Sequence, residues 1–374
     1  MYSNFKLLVD GKNAFPEIIK SINEAKESIL INMFIWRDDE IGNKIAKAIL
    51  EAANRGVKVK LSVDRYGVVL EKCEESKKSF FHKKINLIEK IKIAILKAFY
   101  PMKNTPKRAK EEYSVLYKKI INNKNIVVDK DRFKADHSKY YIIDDEIVFL
   151  GGINIEDKEN GKDKQGRYYQ DYMVKIVGRE NVEVFKYKLT TGLNQNEDYF
   201  FGINIKENGL KLFEMKKLYL DMINNAKEEL VIIMAYFSPL KEFVNSIINA
   251  HKRGVKITIL TSESANFQDD SNKKTLRKLL KKTNNEIKAY LSPKMVHTKM
   301  IINDDYITFG STNITKKAFK QLSELNLFIK NVESNIRNDL MKSIKENQSL
   351  SQEITSYKDI KYNKLMAFVE GVLV

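Results

Sequence analysis

The chain alternates between two hydrophobic periodicities. Residues 16–27 and 41–55 place apolar side chains at helical spacing with charges between them. The runs ILINMFIW and VKVKLSVD are strand-length and rich in β-branched residues. The same order returns in the second half, where AKEELVIIMAYF precedes AHKRGVKITIL. Arg55-Gly56-Val57 and Arg253-Gly254-Val255 each put a glycine where a helix should stop before a strand. Helices alternating with strands of buried type predict an α/β fold, each sheet covered by helices on both faces. Residues 331–374 read as a helix, a polar linker and a final amphipathic helix, KLMAFVEGVLV, which either packs on its lobe or meets a membrane.

One stretch breaks the symmetry. The interval from Gly56 to His137 is nearly twice that from Gly254 to His297, so the first half carries an insert within 68–125. Residues 71–124 hold 15 Lys or Arg against 6 Glu. Inside it, FFHKKINLIEKIKIAILKAFYP sets Ile88, Ile91, Ile95 and Phe99 on one stripe and Lys83, Lys90 and Lys97 on another, with Pro101 as the stop. A helix over residues 80–100 is predicted. It suits an anionic membrane interface, and its stripe would equally pack on the first lobe.

Charge and composition narrow the setting. A net charge of +17 predicts a polyanionic partner, but does not choose between an anionic bilayer and a nucleic acid. A chain of 374 residues can bury two cores, and its single cysteine, Cys73, excludes an intrachain disulfide. No apolar run reaches the ~20 residues of a membrane-spanning helix. The N-terminus shows no basic-then-apolar leader. The expectation is a cytoplasmic protein, soluble or peripheral to the inner face of the cell membrane.

The chemistry sits in a phrase written twice. His137, Lys139 and Asp144 in HSKYYIID are answered by His297, Lys299 and Asp304 in HTKMIIND. Each copy runs on to an asparagine, Asn154 in GGIN and Asn313 in GSTN, and the second copy reaches it one position sooner. In a strand, residues two apart share a face, so each His and Lys project together. Two imidazoles and two ammoniums with amide donors suit attack on a phosphodiester, where charge grows on the non-bridging oxygens. Asp144 and Asp304 fall where the chain turns, which fits pinning that turn or pairing with a basic neighbour. Gly151, Gly152, Gly310 and Ser311 fit a tight backbone turn beneath the site, with no base assigned to Ser311. His82 and His251 lack a lysine two residues on, and are expected to be solvent-facing or capping. No ligand cluster of metal type is visible, and neither a metal nor a cofactor is expected.

These motifs resemble the paired HKD motifs of the phospholipase D superfamily, and the surrounding DHSKYYIIDDEIVFLGGINI, QDYMVKIVG and SELNLFI are most similar to bacterial cardiolipin synthases. The resemblance covers most of residues 6–330. It implies two similar lobes, 1–200 and 201–374, each a mixed sheet flanked by helices. They would be related by a pseudo-two-fold axis, with one active site at their interface. It implies His137 as nucleophile through a phosphohistidine, His297 as acid/base, and Asp171 and Glu324 as carboxylates buttressing catalytic histidines. It implies transfer of a phosphatidyl group from phosphatidylglycerol to a second phospholipid hydroxyl at an anionic membrane. Hydrolysis by a phospholipase D, cleavage of a nucleic acid and a non-enzymatic lipid-binding role are the alternatives. Intact His-Lys-Asp motifs and the GGIN and QDY context favour a lipid over a nucleic acid. Many family members carry N-terminal transmembrane helices, a pattern this sequence departs from.

Overall fold

Two sheets divide the chain. The computed structural model describes residues 2–73, 79–99, 113–163, 166–207 and 209–373. The first half contributes β1 (Phe5–Val9), α1 (Asp10–Glu24), β2 (Ser28–Met33), α2 (Glu40–Asn54), β3 (Lys58–Val63), α3 (Gly67–Cys73), α4 (Leu87–Phe99) and α5 (Val115–Ile121). It continues with β4 (Ile126–Asp129), β5 (Tyr140–Ile143), β6 (Ile147–Gly151), a 3-10 turn at Asp157–Asn160, β7 (Tyr169–Gln170), β8 (Tyr172–Val177) and α6 (Arg179–Thr191). The second half runs β9 (Tyr199–Glu207), β10 (Leu210–Phe213), α7 (Met215–Asn225), β11 (Glu229–Met234), β12 (Phe237–Ser238), α8 (Lys241–Lys252), β13 (Lys256–Ser262), α9 (Asp269–Lys282) and β14 (Lys288–Ser292). It ends with β15 (Met295–Val296), β16 (Lys299–Asn303), β17 (Tyr306–Gly310), β18 (Ile314–Thr315), α10 (Lys316–Lys320), β19 (Glu324–Lys330), α11 (Asn335–Leu350), β20 (Gln352–Glu353) and α12 (Lys364–Leu373).

The first sheet has the order β1-β8-β6-β5-β2-β3-β4, and the second contains β19-β17-β16-β11-β13-β14 within its nine strands. In both, the strands after the motif pair antiparallel, while β2-β3-β4 and β11-β13-β14 run parallel. The duplication read in the motifs is therefore a duplication of topology.

Strand alternation explains how the sheets stack. Ile29 and Ile31 of β2, with Tyr141 and Ile143 of β5, face α1, α2 and α5 in the first core. Leu230, Ile232 and Met234 of β11 face α7, α8 and α9 in the second. The intervening residues, among them Ile142, Leu150, Val174, Val231, Met300 and Leu327, meet in one cluster shared by both sheets with α6 and α11. Each sheet thus has helices on one face and, on its second, the other sheet together with α6 and α11. The expectation of helices on both faces is corrected: a strand buried on both sides reads the same whatever covers it.

The turn into the first strand of each core is gripped twice. Arg55, just past α2, donates to the carbonyls of Ile22, Asn23 and Ala25 at the end of α1. Arg253 does the same for Ile223, Asn224 and Ala226 at the end of α7. These arginines satisfy helix-end carbonyls that would otherwise lack donors. Gly56 and Gly254 follow with φ of 106° and 93°, conformations that favour glycine.

The insert is anchored by aromatic burial and by a capped helix. Phe80 and Phe81 are buried against Trp36, with ring centroids at 5.9 and 5.3 Å. Helix α4 starts at Leu87 because Asn86 and Glu89 exchange backbone and side-chain hydrogen bonds at 2.7 and 2.8 Å, a capping box. Arg65 then holds Glu89 at 2.6 Å. The helix is shorter than the expected 80–100, because residues 79–86 are spent on that anchoring. Pro101 and the side chain of Phe99 lie outside the described residues. Ile93 packs with Val68, Val69 and Cys73, whereas Leu87, Ile88, Ile91 and Ile95 are 71, 65, 52 and 44% exposed. Among the described residues, no helix is long and apolar enough to cross a membrane.

Candidate active site

The two motifs meet through short parallel pairings at the lobe boundary. His137 N–H donates to Ser323 O at 2.8 Å, and Ser323 N–H donates to Ala135 O at 2.9 Å. Across the pseudo-two-fold, His297 N–H donates to Gln170 O at 2.9 Å, beside the parallel pairing of β15 with β7. Glu324 follows Ser323 and Asp171 follows Gln170, so each histidine lies next to a carboxylate of the other lobe. His137 Nδ1 is 3.1 Å from Glu324 Oε2, and His297 Nδ1 is 2.9 Å from Asp171 Oδ2. The sequence leaves the pairing open; the structure crosses it. A carboxylate on Nδ1 fixes ring orientation and directs Nε2 outward. Both imidazoles line one cleft of about 140 Å³ together with Asn154 and Asn313.

The motif lysines lie beneath the cleft, fully buried. Lys139 Nζ donates to the carbonyl of His137, and Lys299 Nζ to that of His297. Burial, and then the Lys299 ammonium, bring Lys139 down to about 7. Burial, and then the lysine charges, hold both histidines well below their usual range, so each is a neutral imidazole near neutral pH. Burial raises Glu324 to about 8 and Asp171 to about 7.

The remaining sequence candidates sort by what they touch. Asn313 Oδ1 accepts from Tyr236 N–H at 3.2 Å, while Asn154 is buried in the cleft wall. Asp144 and Asp304, grouped with the site by the motif, are not part of the cleft. Asp144 accepts from the N–H groups of Lys26, Glu27 and Ser28 at 2.8–2.9 Å. Asp304 accepts from Lys227, Glu228 and Glu229 at 2.6–3.2 Å. They pin the same turns that Arg55 and Arg253 cap, so their role is structural. Two expectations on the insert are corrected. Lys83, assigned to a membrane face, is buried in an ion pair with Asp38 at 2.7 Å. His82, expected to be solvent-facing or capping, is buried with Nε2 at 2.7 Å from Lys130 O, and burial lowers it to about 4.

Sequence reasoning missed four contributors. Lys158 and Lys317 both line the cleft, and the offset between them equals that between Asn154 and Asn313, a signal present in the chain. Ser311 donates to Glu324 Oε2 and so orients that carboxylate. Glu159, on the 3-10 turn, places Oε1 3.3 Å from His297 Nδ1. The expectation that no metal-type cluster exists is also corrected, since ligand atoms of Glu159, Asp171 and His297 lie within 4.8 Å of one another. Lys299 Nζ stands 3.8 Å from Asp171 Oδ2, and already supplies the positive charge there. The cluster is accordingly read as a set of proton partners.

Two sheets of duplicated topology, with histidines completed across their boundary, define a protein of the phospholipase D type. The chain belongs to the family described as cardiolipin synthase, phospholipase D-like domain, whose model matches residues 18–189 and 219–346. A cardiolipin synthase of Clostridium perfringens strain SM101 is 28% identical over 357 residues, spanning 88% of this chain and 67% of that protein. Cardiolipin synthase 2 of Staphylococcus epidermidis strain RP62A is 26% identical over 391 residues, 99% of this chain and 73% of that protein. Among solved structures, phosphatidylserine synthase of Haemophilus influenzae Rd KW20 shares the fold with TM-score 0.70 at 14% identity, over 100% of this chain and 92% of that one.

Proposed function

We propose that the protein is a phosphatidyltransferase of the cardiolipin-synthase type, moving a phosphatidyl group from phosphatidylglycerol to a hydroxyl of a second phospholipid. The observation that carries this reading is the crossed pairing of two imidazoles with buried carboxylates over one cleft. Glu324 holds Nδ1 of His137, so its Nε2 is free to attack phosphorus. The P–N bond forms as the P–O bond to glycerol breaks, and His297 gives the departing oxygen its proton. Lys139 and Lys299 supply charge, and Asn154 and Asn313 hydrogen bonds, as the non-bridging oxygens gain negative charge. The acceptor hydroxyl then loses its proton to His297 and takes the phosphatidyl group from His137. Among these residues only the histidines and asparagines line the cleft, so the lysines act from below it.

In the same reading, α4 docks the enzyme on an anionic membrane at its cytoplasmic face. Leu87, Ile88, Ile91 and Ile95 are exposed, Lys90 is exposed beside them and Lys97 is half-buried. Leu96 of the same helix lines the cleft, which would bring the lipid-facing side next to the site. Incubation of purified protein with phosphatidylglycerol vesicles, followed by mass spectrometry, tests the function. Cardiolipin with release of glycerol is expected. Phosphatidic acid alone would make it a hydrolase, and unchanged lipid beside degraded nucleic acid would make it a nuclease.

A further inference from the structure

The cleft is apolar at one end and polar at the other. Beside His137, the ring of Phe34 lies 4.8 Å from the imidazole, and Tyr66 lies 6.0 Å from Phe34. Lys92 of α4 stands 6.0 Å from the Tyr66 ring, so Leu96, one turn along, lines this end with Leu70. The cation here, Lys317, lies 4.8 Å from the Tyr66 ring and donates to its hydroxyl.

Beside His297 the neighbours differ. Tyr169 lies 5.9 Å from the imidazole, Lys158 Nζ 5.0 Å from the Tyr169 ring, and Glu156 Oε1 3.3 Å from Lys158 Nζ. Glu156 is fully buried and lines the cleft. Arg37 holds its Oε2 at 2.6 Å, while Oε1 accepts no hydrogen bond from the described residues. Counting on from Asn154 and Asn313, the counterpart of Glu156 is Thr315, whose hydroxyl is spent capping α10 at 3.2 Å from Ala318 N. Tyr236 and Gln268 follow β11 and β13 as Phe34 and Tyr66 follow β2 and β3, so the pseudo-two-fold sets them at the His297 end. The buried Gln268 Oε1 also has no donor among the described residues. Two buried acceptors without donors at one end of a cleft call for a ligand that brings hydroxyl groups.

We propose that the His297 end is the subsite for a glycerol head group, whose hydroxyls donate to Glu156 Oε1 and Gln268 Oε1, and that the His137 end takes the diacylglycerol side. This rests on the phosphatidyl-transfer reading above and orients the lipid within it. Nucleophile and leaving group stand on opposite sides of phosphorus in an in-line displacement. With His137 attacking, the glycerol oxygen leaves towards His297, where Glu156 and Gln268 hold the rest of the head group. Once that glycerol has gone, the head group of the acceptor lipid enters the same place and presents its hydroxyl to His297. A neutral polyol suits this end better than an ammonium head group, because Arg37 and Lys158 already flank the carboxylate. The apolar end is walled by α4, so the acyl chains leave the site on the side of the docking helix.

The test compares two donors. Phosphatidylpropanol is close in size to phosphatidylglycerol but has no head-group hydroxyls, and would leave both acceptors buried and unpaired. Wild-type protein should favour the short-chain phosphatidylglycerol by roughly 10- to 100-fold in kcat/KM. Gln268→Gly removes one acceptor at a backbone φ of 57° that suits glycine, and should cut this ratio about three- to tenfold. In Glu156→Gln, Arg37 claims the amide oxygen and turns the amide nitrogen to the cleft, so the ratio should fall by about tenfold. Circular dichroism checks both folds; if the Glu156 variant unfolds for want of its pair with Arg37, the Gln268 variant alone decides. No preference in the wild type, or equal losses on the two donors in a folded variant, would overturn the subsite. Wild-type protein that cleaves neither lipid nor the matching p-nitrophenyl phosphodiester would instead overturn the transfer reading beneath it.

Discussion

The two halves of the site share their reactive groups but not the groups behind them. His137 and His297, Lys139 and Lys299, and Asn154 and Asn313 are matched. Behind them, Ser311 braces Glu324, whereas the equivalent Gly152 presses on Asp171 so closely that a Cβ would sit 2.2 Å from Oδ2. The shorter aspartate takes the place where the backbone comes close, and the longer glutamate takes the place where a hydroxyl can hold it. Matched residues report the reaction that both halves serve. Unmatched ones report the different task of each imidazole.

The largest effects should come from the matched histidines. His137→Ala and His297→Ala are each expected to abolish turnover with the fold intact by circular dichroism. Only the His297 variant should trap a phosphohistidine, on His137, from an activated substrate. An adduct on His297 in the His137 variant would reverse the roles.

The glycine–serine difference gives the next largest effect. Gly152→Ala forces Asp171 to move and should lower turnover by about a hundredfold, on the order expected when a group orienting a catalytic base is misplaced. Ser311→Ala removes one hydrogen bond to a buried carboxylate, at about 1–3 kcal/mol, and should cost about tenfold or somewhat more. Equal losses in the two variants would erase the distinction between the halves.

The pH dependence probes the lysines. Lys139 is brought down to about 7 by burial and by Lys299, so as pH rises through that value it loses the charge that offsets the phosphoryl oxygens. Turnover should decline severalfold on that alkaline side and survive chelators throughout. A flat profile from pH 6 to 9 would remove Lys139 from the reaction, and chelator loss restored by a divalent cation would overturn the reading of the Glu159 cluster.

The smallest catalytic effects belong to the motif aspartates and the insert. Asp144→Ala and Asp304→Ala should each lower unfolding stability by about 1–3 kcal/mol, because backbone N–H groups lose their acceptors. The folded variants should keep near-normal turnover of a soluble substrate. Replacing Ile88, Ile91 and Ile95 with Ser, or Lys90 and Lys97 with Glu, should weaken co-sedimentation with phosphatidylglycerol vesicles while sparing the soluble assay. The lysine contribution, about 1 kcal/mol per charge, should fade with salt. Unchanged sedimentation would remove α4 as a docking element.

How much of this was legible in the sequence depends on range. The motifs, the Arg-Gly-Val helix ends and the buried strands are local, and each could be read from a few residues. The crossing of His137 to Glu324 is not, because 187 residues separate them and only the short parallel pairing at the boundary brings them together. Glu159 had no echo in the second half to draw attention to it. Lys83 and His82 followed the local charge pattern, yet the neighbouring Phe80 and Phe81 drag that stretch inward. Lys158 and Lys317 were legible through their repeated offset, but only to a comparison carried past the asparagines.

The crossed pairing also bears on how the protein is made. When a ribosome has produced the chain as far as Thr191, the end of α6, His137 is present but Glu324 is not. Asp171 is present, but the imidazole it serves is not. His297 can meet Asp171 only after it has itself been made, and His137 stays incomplete until β19 has emerged with Glu324 and the second sheet has closed on the first. A partly synthesised chain, already carrying its basic insert, would thus reach a lipid surface unarmed, and activity would begin only once nearly the whole polypeptide existed.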